Sequence, residues 1–103
     1  MRRAAKVDAN QAEIVAGLRA IGATVQPLHM VGAGCPDLLV GWRGKNYLLE
    51  VKDFNASITD RKLRPSQVEW HDGWEGHVAT VTTVRAALFV IGAVSMPIYG
   101  KIT

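Results

Sequence analysis

The stretch from Gly34 to Lys52 constrains this chain more than any other. Asp37–Trp42 and Lys45–Lys52 are two runs rich in Leu, Val, Trp and Tyr, bounded by glycine or proline and separated by Arg43-Gly44. Such a segment reads as a β-hairpin. Three charges interrupt its apolar pattern: Asp37 where the first strand begins, and Glu50 and Lys52 where the second ends. Antiparallel pairing sets the start of one strand beside the end of its partner, so Asp37 and Glu50 meet despite twelve intervening residues. Glu50 and Lys52 are two apart and share one face of the sheet, while Tyr47, Leu49 and Val51 take the other.

Each charge has a plain reading when taken singly. Asp37 is a turn residue after a proline, and Glu50 and Lys52 are a solvated strand end. Their convergence is different, because burying ions carries a desolvation penalty unless they are compensated. A hard divalent cation takes oxygen ligands, keeps waters for a phosphate, and so compensates paired carboxylates. The lysine then lies next to a water or a phosphate oxygen.

Pro36-Asp37, twelve residues, then Glu50-Val51-Lys52 resembles the signature of the PD-(D/E)xK nuclease superfamily. With Gly34 upstream, Leu49 before Glu50 and Leu63-Arg64-Pro65-Ser66-Gln67 downstream, the chain is similar to the small phage-type VRR-NUC and Holliday-junction-resolvase-like branch, over roughly residues 10–92. The resemblance implies a restriction-endonuclease-like core and a divalent-metal-dependent endonuclease that hydrolyses DNA, with branched or four-way-junction DNA as substrate and a homodimer as the working form. It implies that Asp37 and Glu50 hold Mg²⁺ (or Mn²⁺), aided by the Val51 backbone carbonyl and by Glu13 from the first helix. Lys52 then orients the attacking water or stabilises charge on the phosphate, and Gln67 positions substrate or water. Arg64 departs from the pattern, since Thr or Ser often precedes the proline, and Ser66 is the alternative cap.

The remaining chain supplies elements that suit such a core. A helix is predicted over Asn10–Ile21, with Asn10 and Glu13 spaced as a capping box, Ile14, Leu18 and Ile21 as its stripe, and Gly22 as its stop. Ala23–Leu28 reads as a short strand, with Pro27 marking a sheet edge, and His29–Cys35 as a glycine-rich loop. After a polar loop from Asp53 to about Lys62, a helix starts near Pro65 or Ser66 and reaches about Trp74, with Ser66 and Glu69 as a second capping box. His77–Thr82 alternates as a fourth strand. A last helix follows Thr82 or Thr83 and runs to about Ile91, with Val84, Ala87, Leu88 and Ile91 on one face. The order α-β-β-β-α-β-α predicts an α/β fold, a mixed central sheet of about four strands flanked by helices.

With 103 residues, about half of them hydrophobic, one domain is expected, with residues 1–9 a flexible basic arm and 93–103 a tail of uncertain structure. In that tail Met96, Ile98 and Tyr99 are apolar without a place in a minimal core, and a homodimer contact would use them. A net charge of +3 permits a nucleic-acid partner without requiring one. Arg61, Lys62 and Arg64 read either as solvated surface or as contacts to the DNA backbone. Glu13 reads either as a ligand or as a capping glutamate, and Gln67 either as a positioning residue or as a polar helix residue. Trp70 and Trp74 read as core, and Cys35 as a small loop residue with no base to activate it. A single cysteine excludes an internal disulfide and suits a reducing cytoplasm, bacterial or of a phage-infected host. Met-Arg-Arg-Ala-Ala-Lys is not followed by an apolar run, so neither a secretory signal nor a membrane partner is expected. Two other classes make different demands on the sequence. A non-cleaving DNA-binding module of the same fold should carry a broken catalytic set, and a restriction-type, sequence-specific nuclease needs more room for recognition than this chain offers.

Overall fold

Two residues with positive φ, Arg43 at 52° and Gly44 at 80°, turn the chain back on itself. That pair of angles is the type I′ geometry, whose twist matches that of paired strands. The hairpin they close joins β2 (Leu38–Trp42) to β3 (Lys45–Val51), with Trp42 opposite Lys45 and Leu38 opposite Leu49. A computed structural model describes residues 8–53, 55–57 and 62–95. Within them, α1 is Gln11–Ala20, β1 Thr24–Pro27, α2 Pro65–Gly73, β4 Val78–Val81 and α3 Val84–Val90. The predicted element order and the α/β class both hold.

The sheet order is β1-β2-β3-β4. β1 is an edge strand, as Pro27 suggested, and runs antiparallel to β2. β4 runs parallel to β3, with Val51 opposite Val81, and α2 lies in the crossover that a parallel pair requires. β3 therefore has a neighbour on each side. Its last five residues, Tyr47–Val51, are buried without interruption, as expected of a strand covered on both faces.

One face of the sheet makes the core. Leu38, Val40, Tyr47, Leu49, Val51 and Val81 meet Ile14 and Leu18 of α1 and Ala87 and Ile91 beside α3. The two helices cross closely because Gly17 has no side chain, and a Cβ there would run into Val84. Thr83 caps α3 by accepting from the Ala86 amide at 3.0 Å. Leu39, Leu48 and Glu50 point to the opposite face, the side from which α2 delivers Gln67.

Three local expectations are corrected. Asn10 precedes α1 but makes no side-chain cap, and its amide instead donates to the carbonyls of Lys52 at 3.0 Å and Thr82 at 2.8 Å. Those carbonyls lie past the ends of β3 and β4, and Asn10 ties α1 to them. Ser66 does not cap α2. The Gln67 side chain reaches back to the Arg64 amide at 2.8 Å, since the arginine side chain offers no acceptor. Trp74 is not core but 45% exposed, because α2 buries only Gln67. Residues 96–103, with Met96, Ile98 and Tyr99, lie outside the described residues, as do Arg61 and residues 1–7.

Candidate active site

The end of the hairpin opposite its turn brings Asp37, Glu50 and Lys52 together. Asp37 stands one residue before β2, and its Oδ2 accepts from the Val51 amide at 2.7 Å. Its own carbonyl accepts from the Leu28 amide at 2.7 Å, which closes the base of the loop between β1 and β2. In that loop Gly32, Ala33 and Gly34 all have positive φ. Gly34 lies so close to the Ser66 carbonyl that a Cβ would collide with it, so the loop and the start of α2 are in direct contact.

Glu50 and Lys52 are 2% and 5% exposed. Glu50 Oε2 is 3.7 Å from Lys52 Nζ, and both are held by Gln67, itself 4% exposed. Gln67 Nε2 donates to Glu50 Oε2 at 2.8 Å, and Oε1 accepts from Lys52 Nζ at 3.1 Å and from the Arg64 amide. The orientation of this amide is dictated by its partners, because an ammonium and a backbone N–H can only donate. The same residue thus caps a helix and joins the acid to the base.

Burial first, and then the neighbouring Asp37 charge and a hydrogen bond to Asp37, push the Glu50 carboxyl up to about 8 against the opposing pull of Lys52 and Arg64. Without a cation this acid holds its proton at neutral pH. When it is ionised, its Oε1 is buried with no partner. The Cys35 thiol is likewise pushed up, first by burial and then by Glu50 and Asp37, so it stays protonated, in keeping with a loop residue that is not a nucleophile.

Of the residues singled out by sequence, Asp37, Glu50, Lys52, Gln67 and the Val51 backbone converge. Glu13 does not join them. It is exposed on α1 and lines another cavity, with Asn10, Asp53, Thr82 and Arg85. Among the described residues no three acidic, histidine or cysteine side chains are grouped to hold a metal. Lys62 and Arg64 are exposed, and Arg64 is near enough for its charge to act on Glu50. Sequence reasoning missed His71, whose imidazole is held below its usual pKa chiefly by burial, with Lys52 adding to the effect and Asp72 opposing it. Its position four residues after Gln67, on the same helix face, was the available signal.

No family model and no curated protein matches the chain. A solved structure described as a VRR_NUC domain does match, at 30% identity and a TM-score of 0.60, over 79% of this chain and 88% of that one. Among the described residues no helix is long and apolar enough to cross a membrane. At that identity, and with most of both chains covered, the likeness shows the family: the chain belongs to the VRR-NUC nuclease family.

Proposed function

We propose that this nuclease is a divalent-metal-dependent endonuclease that hydrolyses DNA phosphodiester bonds, with Asp37, Glu50, Lys52 and Gln67 as its hydrolytic centre. One observation carries the reading: two carboxylates are crowded together, and one of them, Glu50, is buried so that its Oε1 meets no donor once the group is ionised. A buried anion left in this condition is unfavourable, and a hard cation relieves it. Asp37, Glu50 and the Val51 carbonyl would hold Mg²⁺ or Mn²⁺, with substrate oxygens and water completing the shell. A cation held there supplies a Lewis acid for the scissile phosphate and acidifies a water.

The chain's own residues do the rest. Lys52, anchored by Gln67, orients the attacking water and stabilises negative charge developing on the phosphate. Gln67 keeps Lys52 and Glu50 in fixed relation while α2 stays docked. Water adds to phosphorus, one P–O ester bond breaks, and the leaving oxygen takes a proton. Arg64 and Lys62, with Arg61, contact backbone phosphates, and these contacts carry no sequence information. The intact set of Asp37, Glu50 and Lys52 favours cleavage over a DNA-binding module that does not cut.

The reading extends to branched DNA and a homodimer in the cytoplasm. Its support is the resemblance in sequence, together with the need for two paired cuts in a symmetric junction. The test is incubation of labelled linear, nicked, flapped and four-way DNA with Mg²⁺, Mn²⁺ or EDTA, with light scattering for the mass. Cleavage that needs metal and falls mainly on branched DNA is the expected result. No cleavage of any substrate with either metal would end the proposal.

A further inference from the structure

The face of the sheet that carries Glu50 continues into a cavity of about 440 Å³. Its floor is the cross-strand pair Leu39 and Leu48, its wall is Trp74, and Asn46 and Lys45 stand at the polar end. Asn46, Leu48 and Glu50 alternate along β3 and so share one face, and at about 3.4 Å per residue Leu48 is about 7 Å from Glu50. That is about two stacked nucleotides along a strand. One face of the Trp74 indole stacks on Trp70, with centroids 4.7 Å apart and planes 20° apart. Its edge is fitted against Gly76, where a Cβ would stand 2.8 Å from Nε1. The ring is therefore held in place by two contacts, yet remains 45% exposed.

An exposed indole clamped in one orientation, beside an apolar floor, an amide and a cation, is a poor solvent surface and a good site for a flat heteroaromatic ring. Bases stack on aromatic side chains whatever their sequence, and an Asn side chain can pair with a base edge. We infer that the Trp74 cavity receives an unpaired nucleobase of the strand whose phosphate lies at Asp37 and Glu50. A base inside a duplex must first be unstacked and unpaired to enter, so among branched DNAs the cavity favours those with unpaired nucleotides next to the cut, such as flaps, over a fully paired four-way junction. Lys45 lies at the cavity end farther from Glu50 and meets the following phosphate. The inference rests on the nuclease reading above and deepens it by naming the substrate class.

The test compares wild type, Trp74→Ala and Trp74→Phe for binding, in EDTA, to a labelled flapped duplex and to a fully paired duplex of equal length. The expected result is a wild-type preference for the flap that falls about tenfold or more in Trp74→Ala, the size of one lost base–aromatic stack, and is largely kept in Trp74→Phe. Tryptophan emission should be quenched by the flap in wild type and much less in Trp74→Ala. An unchanged preference in Trp74→Ala, or no preference in wild type, overturns the inference. So does a halved mass of Trp74→Ala by light scattering, which would mean that a second copy fills the cavity. If Asp37→Asn still removes metal-dependent cleavage in any of these cases, the nuclease reading stands and only the cavity assignment falls. If wild type neither binds nor cuts DNA, both fall.

Discussion

Gln67 Nε2 donates a 2.8 Å hydrogen bond to Glu50 Oε2. The bond joins the only buried residue of α2 to the most deeply placed charge of β3. An apolar residue at position 67 could dock the helix, but it would leave Lys52 Nζ and Glu50 Oε2 without this partner. α2 is thus seated through the site rather than through the core, and the geometry of the site and the stability of the helix are one property.

Gln67→Ala should accordingly lower stability and cleavage together. Burying donors and acceptors that lose their partner costs about 1–3 kcal/mol. Denaturant unfolding should show a loss of that order, and cleavage under folding conditions should drop sharply. A variant with wild-type stability and wild-type cleavage would make Gln67 an ordinary helix residue.

The raised carboxyl of Glu50 sets the pH dependence of the metal-free protein. Its pKa is about 8 in the fold against an ordinary 4.5, so the unfolded chain releases this proton first. The contribution of Glu50 to stability is therefore full below about pH 4.5, declines as pH rises, and is lost once pH passes about 8. Glu50→Gln removes the titration. In EDTA its stability relative to wild type should increase between pH 5 and pH 9, as read from thermal unfolding across that range. A constant difference between the two proteins would show that Glu50 titrates normally.

Asp37→Asn and Lys52→Ala separate binding of the cation from the use made of it. Asparagine keeps an oxygen that can accept from the Val51 amide but removes the charge that crowds Glu50, so the fold should persist while Mg²⁺ binding and cleavage disappear. Lys52→Ala should abolish cleavage yet leave Mg²⁺ binding measurable by calorimetry, because an ammonium is not a ligand. Wild-type cutting by Asp37→Asn would refute the assignment of the metal site, and an unfolded Asp37→Asn would make the aspartate structural.

The hairpin and its charges were legible because the information is local. Glycine and proline mark the boundaries, the turn sets the register, and the register converts Asp37 and Glu50 into neighbours. What was not legible is non-local or contrary to propensity. Asn10 has the composition of a cap, but its partners are the carbonyls of Lys52 and Thr82, 42 and 72 positions away. Ser66 is the better cap by preference, yet the Gln67 side chain takes the Arg64 amide, because the same oxygen must also meet Lys52. Trp74 looks like core in composition, and only the placement of α2, seated through a glutamine, leaves it exposed.

Gly34 offers the sharpest test of how the loop and α2 are coupled. At Gly32 and Gly34 alike φ is positive, 76° and 84°, and alanine there should cost about 1–2 kcal/mol for the left-handed conformation alone. The two positions differ in their surroundings. A Cβ at Gly32 meets nothing within 4 Å, whereas at Gly34 it collides with the Ser66 carbonyl, a backbone atom at the start of α2 that cannot swing aside. Gly32→Ala should therefore show the conformational cost only and retain cleavage. Gly34→Ala should lose more stability than that, and because the collision pushes α2 from the loop that delivers Asp37, it should displace Gln67 from Glu50 and depress cleavage. Denaturant unfolding of both variants with a cleavage assay on each decides the matter. Equal losses at the two glycines would mean that the loop and the helix move independently, and that Gln67 is held by its hydrogen bonds alone.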